Sequence, residues 1–440
     1  MDRRRWLIPV LFLAVMSACS TPLPDNEAIT STTPSPTPLV NEPDAPAIVV
    51  EPVSSLADEI VKIEVMGLAP KQEVVLTASL RDDFRQVWRS QATFLADEQG
   101  VVNVATQTPL AGSYQTADPM GLFWSMQPDE AQAFFVNFRS TFIPVEIAAH
   151  VAGEQVAVAY ANRQRMNAEV SEVEVNEAGL IGRFYAPSGT TPRPALLVLG
   201  GSGGGVDTQK GMMLASHGYA TLALDYFGDP PLPESLTEIP LEYFETALSW
   251  LKKQEGVDAE RLGVVGTSRG GELALLLAAT FPDLKVVVGY VPSGVVFGNL
   301  ARDSVGEKSA WTYRGEPITF GIWSNPELIK RAIIPVEQIN GAVLLISAKD
   351  DQIWPSTRLS EIAISQLAEH GHPHPYTHLH YENAGHLIDV PFWPTTMNEI
   401  TDPMTGARLV FGGTAQGTAL ASTDSWRQVL AFLAQNFGEQ

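Results

Sequence analysis

The most constraining feature of the sequence is an apolar run that leads into a Gly-x-Ser-x-Gly turn and then into an apolar helix-like segment. The run spans 261–266, the turn spans 266–270 with Ser268 at its centre, and the segment 272–281 follows. In this context the turn is typical of a nucleophile elbow, in which glycines flank the serine because a strand-to-helix turn this tight excludes side chains. The pattern therefore predicts a reactive serine, and the competing interpretation is a Gly-rich helix start with an idle serine.

The segments around this turn alternate between apolar strands and amphipathic helices. The runs 195–200, 219–228 and 285–291 are almost continuously apolar, which is typical of parallel strands buried on both faces. Between them, 241–254 has apolar residues at helical spacing. We therefore predict a doubly wound α/β-hydrolase domain over residues 171–440.

The elbow also predicts its catalytic partners, because a serine is a weak nucleophile until a base activates it. In this fold an acid and then a histidine follow the serine along the chain. The run 342–347 is followed by Asp350 and Asp351, and His386 comes after a later short strand. Spacing favours Asp351, with Asp350 as the alternative. His386 would deprotonate Ser268, and Asp351 would orient the imidazole and stabilise its protonated form.

A developing oxyanion needs backbone N–H donors. One donor is predicted at Arg269, directly after the nucleophile, and the other in the Gly-rich run 200–205. Within that run Ser202 is the preferred donor and Gly201 is its neighbour. A phosphate-binding loop is the alternative for 200–205, but the Gly-Lys-Ser/Thr ending of such loops is absent from the sequence.

Residues 50–170 carry short β-type runs separated by turn residues, for example 60–68, 73–80 and 143–151. This spacing predicts an antiparallel β-sandwich. The segment has no His and Cys cluster and no carboxylate pair in a recognisable catalytic context. The chemistry is therefore expected in the later domain.

Several motifs of both domains resemble the acyl-CoA thioesterase and bile acid-CoA:amino acid N-acyltransferase family. Those of the catalytic domain occur in the family's order and nearly its spacing, at 200–205, 223–236, 241–251, 266–275, 348–354, 384–394 and 411–426. Those of the N-terminal immunoglobulin-like domain are at 66–70, 77–83 and 118–126. The resemblance covers roughly residues 50–440.

The resemblance implies an immunoglobulin-like β-sandwich followed by an α/β-hydrolase domain. It implies an enzyme that acts on acyl-CoA thioesters without a metal or cofactor, with the nucleophile, acid and base at Ser268, Asp351 and His386. Family members that transfer the acyl group to an amino acid carry Cys at the elbow, so the serine favours hydrolysis. The alternatives are a carboxylesterase or dienelactone-hydrolase-like enzyme acting on another ester, an N-acyltransferase, and a catalytically idle surface binding protein.

Residues 1–19 have the pattern of an export signal. A basic start precedes the apolar run 6–18, which is shorter than the about 20 residues of a spanning helix. Residues 16–19 resemble a bacterial lipobox, which predicts an exported protein anchored to the cell envelope by a lipid on Cys19. An ordinary cleaved signal and an uncleaved anchor are the alternatives. The Pro-, Ser- and Thr-rich segment 20–49 is predicted to be a flexible tether.

Charge and composition exclude other classes of partner and site. The chain has 28 Lys and Arg against 50 Asp and Glu, and the net charge of -22 excludes nucleic acid as a main partner. Histidines concentrate in 370–380, but they lack the accompanying carboxylate spacing of a metal site, so we predict none. The expected partners are a small acyl thioester or ester substrate and, through the anchor, a membrane.

Overall fold

The computed structural model describes residues 45–129, 135, 140–189, 191–301, 304–401 and 408–438. The predicted signal peptide, its Cys19 and most of the predicted tether lie outside this range. Strand β1 (Ala47–Glu51) begins inside the predicted tether of 20–49, so that boundary was wrong. The alternating apolar residues Ile48 and Val50 pair in register with the next strand of their sheet, which draws this segment into the fold.

Two sheets make up the N-terminal part of the chain. The first has the order β1-β3-β6, and the second has the order β2-β10-β9-β4-β5-β7, with β8 paired to β5. Only β2 and β10 are paired in parallel among these strands. The strands after β1 are β2 (Ser54–Leu56), β3 (Lys62–Met66), β4 (Glu73–Arg81), β5 (Val87–Leu95), β6 (Val102–Asn103), β7 (Ala111–Gly112), β8 (Gln127–Pro128), β9 (Phe142–Val151) and β10 (Glu154–Gln164). The one-turn helix α1 (Gly121–Trp124) precedes β8.

The strands of this part alternate between buried apolar and more exposed residues, as half-buried antiparallel strands do. In β4, Val74, Leu76, Ala78 and Leu80 are buried, and the residues between them are partly exposed. Residues of both sheets, including the fully buried Trp88, contribute to one apolar core. The result is a β-sandwich.

The second part is built on an eight-stranded sheet with the order β11-β12-β14-β13-β16-β17-β22-β23. The β11–β12 and β12–β14 pairs are antiparallel and the other pairs are parallel. Its strands are β11 (Val170–Glu177), β12 (Leu180–Pro187), β13 (Arg193–Leu199), β14 (Ala220–Asp225), β16 (Val257–Thr267), β17 (Leu284–Tyr290), β22 (Ala342–Ala348) and β23 (Tyr376–Tyr381). The main helices are α2 (Thr208–Ser216), α3 (Leu241–Leu251), α4 (Arg269–Thr280), α6 (Ser356–Glu369) and α7 (Ala415–Phe437).

Helices cover both faces of this sheet. Successive residues of a strand therefore lie alternately in one of two apolar cores. In β13, Leu196 and Val198 lie in a core with residues of α2 and α7. Leu197 and Leu199 lie in a core with residues of α3, α4 and α6. The predicted fold class, a β-sandwich followed by an α/β-hydrolase domain, is confirmed.

Short elements fill the connections of the α/β part. They are β15 (Ile239–Pro240), β18 (Gly298–Ala301), β19 (Ser304–Ser309), β20 (Trp311–Tyr313), β21 (Glu316–Pro317), α5 (Pro326–Arg331), a 3-10 turn (Val336–Gln338), β24 (Glu399–Thr401) and β25 (Arg408–Val410). Residues of β18, of β19 and of the segment before α5 lie beside the elbow. No helix in the described part of the chain is both long enough and apolar enough to cross a bilayer.

The sandwich and the α/β part share an apolar core, which includes residues of both sandwich sheets and of α2 and α7. Asp58 of the sandwich accepts a hydrogen bond from Trp426 Nε1 at 2.7 Å and lies 2.6 Å from His217 Nε2. The Trp124 carbonyl accepts from Thr395 N at 3.0 Å. The described residues from 45 onward thus form one compact unit. The predicted division at residue 170 stays a prediction.

Candidate active site

The elbow stands between β16 and α4, where the chain reverses over a single residue. Ser268 has φ 57° and ψ -117°, a sparsely populated conformation for a residue with a side chain, which typically costs about 1–3 kcal/mol. A Cβ at position 266 would lie 2.0 Å from the Gly270 carbonyl oxygen, and one at position 270 would lie 2.2 Å from the Gly200 carbonyl oxygen. Both flanking glycines are therefore required by close backbone contact.

Three of the predicted residues form one hydrogen-bonded series at the elbow. His386 Nε2 lies 3.0 Å from Ser268 Oγ, and His386 Nδ1 lies 2.8 Å from Asp351 Oδ2. The other oxygen of Asp351 accepts from the backbone N–H groups of Ile353 and Trp354 at 3.0 and 3.2 Å. The acid is thus held by its own loop, and the imidazole lies between the acid and the serine hydroxyl.

The alternative acid, Asp350, has a different set of contacts. Its Oδ2 accepts from Gly413 N at 3.0 Å, which joins two loops. Spacing after the strand had favoured Asp351, and it is Asp351 that contacts His386.

The Gly-rich run 200–205 lies against the elbow. A Cβ built on Gly201 would stand 3.3 Å from the Ser268 Cβ and 3.9 Å from its Oγ, so the loop backbone passes beside the nucleophile. Arg269 is the first residue of α4, and the first N–H groups of a helix have no partner within the helix. Both sets of predicted oxyanion donors, Arg269 and the Gly201–Ser202 pair, thus belong to backbone next to Ser268.

A buried tyrosine holds this run in place. Tyr226 Oη donates a 2.6 Å hydrogen bond to the carbonyl oxygen of Gly200. The ring packs between aromatic neighbours, with centroid distances of 5.1 Å to Phe227 and 5.6 Å to Phe244. Sequence reasoning missed this residue, although its position directly after β14 places it at the carboxyl end of the sheet, where Gly200 also lies.

The side chain of Arg269 is buried beneath the site; both terminal nitrogens of its guanidinium are hydrogen-bonded, whereas its Nε has no hydrogen-bond partner among the described residues. Its guanidinium donates to Glu272 Oε2 at 2.8 Å and to the carbonyl oxygens of Phe297 and Gly298 at 2.9 and 3.1 Å. Glu272 Oε1 accepts from Trp311 Nε1 at 3.0 Å. Burial raises the pKa of Glu272 to about 7, although Arg269 and Trp311 act in the opposite direction. Arg269 and Glu272 therefore anchor the segment that leads into β18.

A second ion pair, between a buried lysine and a half-exposed aspartate, supports the histidine loop. The ammonium of Lys210 on α2 contacts the carboxylate of Asp389 and, at 3.3 Å, that of Asp207. Burial acts to lower the pKa of Lys210, but the two carboxylates outweigh it and raise the pKa above its usual value. Since Asp389 follows His386 by three residues, this pair ties the loop of the candidate base to α2.

Two cavities meet at Ser268 and Ser202. The larger has a volume of about 450 Å³ and is mainly apolar, with walls that include Phe297, Leu300, Val305, Ile322, Trp323 and Trp354. The smaller has a volume of about 200 Å³, and its walls include Gly203, Thr267, His386, Leu387, Ile388 and Asp389. The serine hydroxyl is thus accessible from two sides that differ in chemistry.

The histidine-rich run 370–380 has structural contacts. His378 Nε2 lies 2.7 Å from Ser347 Oγ, and His372 Nε2 lies 2.9 Å from the Gly341 carbonyl oxygen. Burial and the neighbouring His380 lower the pKa of His378 to about 4. Across the described ranges, no group of three or more His, Cys, Asp or Glu side chains could hold a metal ion.

Two family models match the chain. Residues 58–177 match the acyl-CoA thioester hydrolase/BAAT N-terminal region, and residues 239–439 match the BAAT/acyl-CoA thioester hydrolase C terminal. Ser268, Asp351 and His386 all fall in the second match, whereas the run 200–205 lies between the two.

The chain is similar over most of its length to curated mouse proteins. It is 31% identical to acyl-coenzyme A thioesterase 6 of Mus musculus over 405 residues, which cover 88% of this chain and 96% of that protein. It is 29% identical to the peroxisomal succinyl-coenzyme A thioesterase of Mus musculus over 421 residues, or 90% and 97% of the two chains.

Solved structures that resemble part of this chain at lower similarity include two shorter proteins. A dienelactone hydrolase-like promiscuous phosphotriesterase from metagenomic libraries is 19% identical, with a TM-score of 0.40 and coverage of 61% of this chain and 98% of that one. A putative dienelactone hydrolase from Klebsiella pneumoniae is 19% identical, with a TM-score of 0.41 and coverage of 60% and 98%.

Proposed function

Because this chain belongs to the acyl-CoA thioester hydrolase and BAAT family, we propose that it hydrolyses acyl thioesters through a covalent intermediate on Ser268. One observation carries the mechanism: the hydrogen-bonded series from Ser268 Oγ to His386 at 3.0 Å and from His386 to Asp351 at 2.8 Å. The mouse relatives named acyl-coenzyme A thioesterases support acyl-CoA as the first substrate to test.

In the first half of the reaction, Ser268 Oγ attacks the thioester carbonyl carbon and its proton passes to His386 Nε2. Asp351 stabilises the resulting imidazolium through Nδ1. The carbonyl oxygen becomes negative and accepts hydrogen bonds from the N–H of Arg269 and from the N–H of Ser202 or Gly201. The C–S bond then breaks, and the leaving thiolate takes the proton from His386. An oxygen ester on Ser268 and a free thiol remain.

In the second half, water attacks the ester carbon while His386 accepts a proton from it. The same N–H groups stabilise the second oxyanion. The C–O bond to Ser268 breaks, and the serine oxygen recovers its proton from His386. The product is a carboxylic acid. A serine ester is less reactive toward amines than the thioester that an elbow cysteine would form, so we propose hydrolysis over acyl transfer.

The test is hydrolysis of acyl-CoA by a chain beginning at residue 45, followed through the released thiol. Ser268→Ala should lower kcat by about 10⁴-fold or more. The matched control is Ser171→Ala, which removes a hydroxyl from β11 that donates to the Ala186 carbonyl. Its kcat should equal that of the wild type. Retention of more than a tenth of the activity in Ser268→Ala would overturn the proposal.

Matched substrates separate this function from its alternatives. Acyl-CoA, the p-nitrophenyl ester of the same acid, and acyl-CoA with an added amino acid distinguish a thioesterase, a general esterase and a transferase. A fluorophosphonate should label Ser268 in the wild type. A protein that is neither labelled nor active on any of these substrates would be a binding protein.

We also propose export and lipid anchoring at Cys19, on the basis of the signal-like residues 1–19. Expressed in a bacterium, the full chain should fractionate with membranes and should leave them in detergent. Cys19→Ala should abolish this behaviour, and Ser20→Ala should not. Membrane association of Cys19→Ala equal to that of the wild type would contradict the lipid anchor.

A further inference from the structure

On the basis of the proposed function, we propose that the larger cavity binds the acyl chain, that this chain is apolar to its end, and that Trp323 determines which lengths are accepted. The smaller cavity then receives the leaving group. This inference assigns a substrate class and a specificity-determining residue to the site.

The proton transfer from His386 determines which cavity receives the leaving group and which binds the acyl chain. The departing sulfur must take its proton from His386 Nε2, so the leaving group has to lie beside that ring. His386 lines the smaller cavity together with Leu387 and Ile388. Ser202 and Ser268 line both cavities, so the scissile carbonyl fits at their junction, next to the candidate oxyanion donors. The acyl chain is left with the larger cavity.

The wall of the larger cavity contains a continuous row of aromatic rings. Trp354 contacts His386 edge-on with a centroid distance of 6.3 Å, and Phe297 lies 6.0 Å from Trp354. Trp323 stacks on Phe297 at 4.6 Å with an interplanar angle of 25°. The row leads from the catalytic histidine to the surface, and Trp323 at its outer end is 58% exposed.

Exposed apolar side chains concentrate at this outer end. Val305 is 68% exposed and Ile353 is 39% exposed, and Leu300 and Ile322 are exposed to a similar extent as Ile353. Single exposed apolar residues are ordinary, but a cluster at the mouth of a cavity marks a surface that a ligand covers. Since the cluster is continuous with the cavity at Ser268, a chain longer than the cavity would cover it.

The charges that line the larger cavity disfavour a carboxylate at the far end of the acyl chain. Among the described residues that line the larger cavity, Arg269 carries the only positive charge, and its guanidinium already donates to Glu272, Phe297 and Gly298. The charge of Arg269 is already paired with Glu272, so a carboxylate at the end of a chain that stops inside this mainly apolar cavity would face no free positive charge among the described lining residues, and its burial would be costly. A chain that ends inside the cavity therefore ends in an apolar group, unlike the short succinyl group named for one mouse relative.

The test is kcat/KM for a series of saturated acyl-CoAs and for ω-carboxylated acyl-CoAs of equal length. In the wild type, kcat/KM should rise about two- to fourfold for each added methylene until the chain passes Trp323. The ω-carboxylated partner of a well-accepted chain should be at least about a hundredfold slower. Trp323→Ala should lower kcat/KM about tenfold or more for the longest chains and leave the shortest within twofold.

The matched control is Trp250→Ala, which removes an indole on α3 that packs against Phe184, outside both cavities. Its chain-length profile should equal that of the wild type. For a fixed long acyl group and varied leaving thiols, Trp323→Ala should reduce kcat/KM by one common factor. Equal loss at all chain lengths in Trp323→Ala, or preference of the wild type for short or ω-carboxylated groups, would overturn the inference.

A second measurement keeps this inference separate from the proposed function. Alkyl fluorophosphonates of increasing length should label Ser268 at increasing rates in the wild type, and Trp323→Ala should flatten that increase. If thioesters are not hydrolysed but labelling still follows chain length, the proposed function fails and the cavity assignment stands. If thioesters are hydrolysed but neither rate depends on chain length, the cavity assignment fails alone.

Discussion

Removing the hydroxyl of Tyr226 tests whether the position of the Gly-rich run 200–205 depends on the buried residues behind it. Tyr226→Phe deletes the 2.6 Å hydrogen bond to the Gly200 carbonyl and keeps the ring, which packs against Phe227 and Phe244. Burial raises the pKa of Tyr226 well above its usual value, so the wild-type hydroxyl remains a donor over the whole working range of pH.

The expected loss of kcat in Tyr226→Phe follows from the Gly200 carbonyl, which the substitution leaves without its donor. A buried carbonyl without its donor costs about 1–3 kcal/mol. If the loop shifts to recover a partner, that energy is lost from transition-state stabilisation, which corresponds to a kcat about 5- to 150-fold lower. KM should stay unchanged, because Tyr226 is not among the residues that line either cavity.

The assay compares kcat, KM and urea unfolding for Tyr226→Phe and for Tyr243→Phe. Tyr243 Oη also donates a 2.6 Å bond to a backbone carbonyl, that of Asp225, but does not contact the Gly-rich run. Both variants should lose stability, and only Tyr226→Phe should lose kcat. A kcat within twofold of the wild type, or an equal kcat loss in both variants, would refute this reasoning.

Three further outcomes are expected. Asp351→Asn should lower kcat by about 10⁴-fold, whereas Asp350→Asn should leave it within about threefold in steady-state kinetics. The folded pKa of His378 is about 4, below the ordinary 6.5, so the unfolded chain takes up its proton first and stability should fall as pH drops from 6.5 toward 4. Urea unfolding at pH 7 and pH 4.5 checks this, and His378→Gln should reduce the loss. Asp58→Asn should destabilise the chain by about 1–3 kcal/mol in the same assay, because it weakens the contact with Trp426.

Each of these outcomes can be contradicted. Equal losses of kcat in Asp350→Asn and Asp351→Asn would mean that the two carboxylates act together. A pH dependence unaltered in His378→Gln would assign the acid sensitivity to another group. Wild-type stability in Asp58→Asn would show that the apolar contacts alone hold the sandwich in place.

The candidate catalytic residues could be proposed from the sequence because the fold imposes their order along the chain. Strand, elbow and helix are consecutive at Ser268, and Asp351 could be chosen over Asp350 from its spacing after a strand. These signals are local, so one sequence is enough to reveal them.

The residues that support and shape the site gave no such signal. Lys210 and Asp389 are 179 positions apart, and Asp58 and Trp426 are 368 apart, so each pair meets only through the tertiary fold. Phe297 and Trp323 lie in connecting segments that have no regular periodicity. The tether boundary was wrong because β1 depends on its pairing with β3, which a local pattern does not report.

The core shared by the sandwich and the hydrolase sheet restricts how this enzyme can be rebuilt. Two-domain proteins are commonly treated as exchangeable modules, cut at the junction and recombined with other partners. Here a cut at residue 170 would leave apolar side chains of α2 and α7 facing water, and the excised catalytic half would be prone to aggregate. A shortened version of the enzyme therefore has to keep the sandwich. Otherwise the apolar side chains of α2 and α7 that the sandwich covers have to be replaced by polar ones.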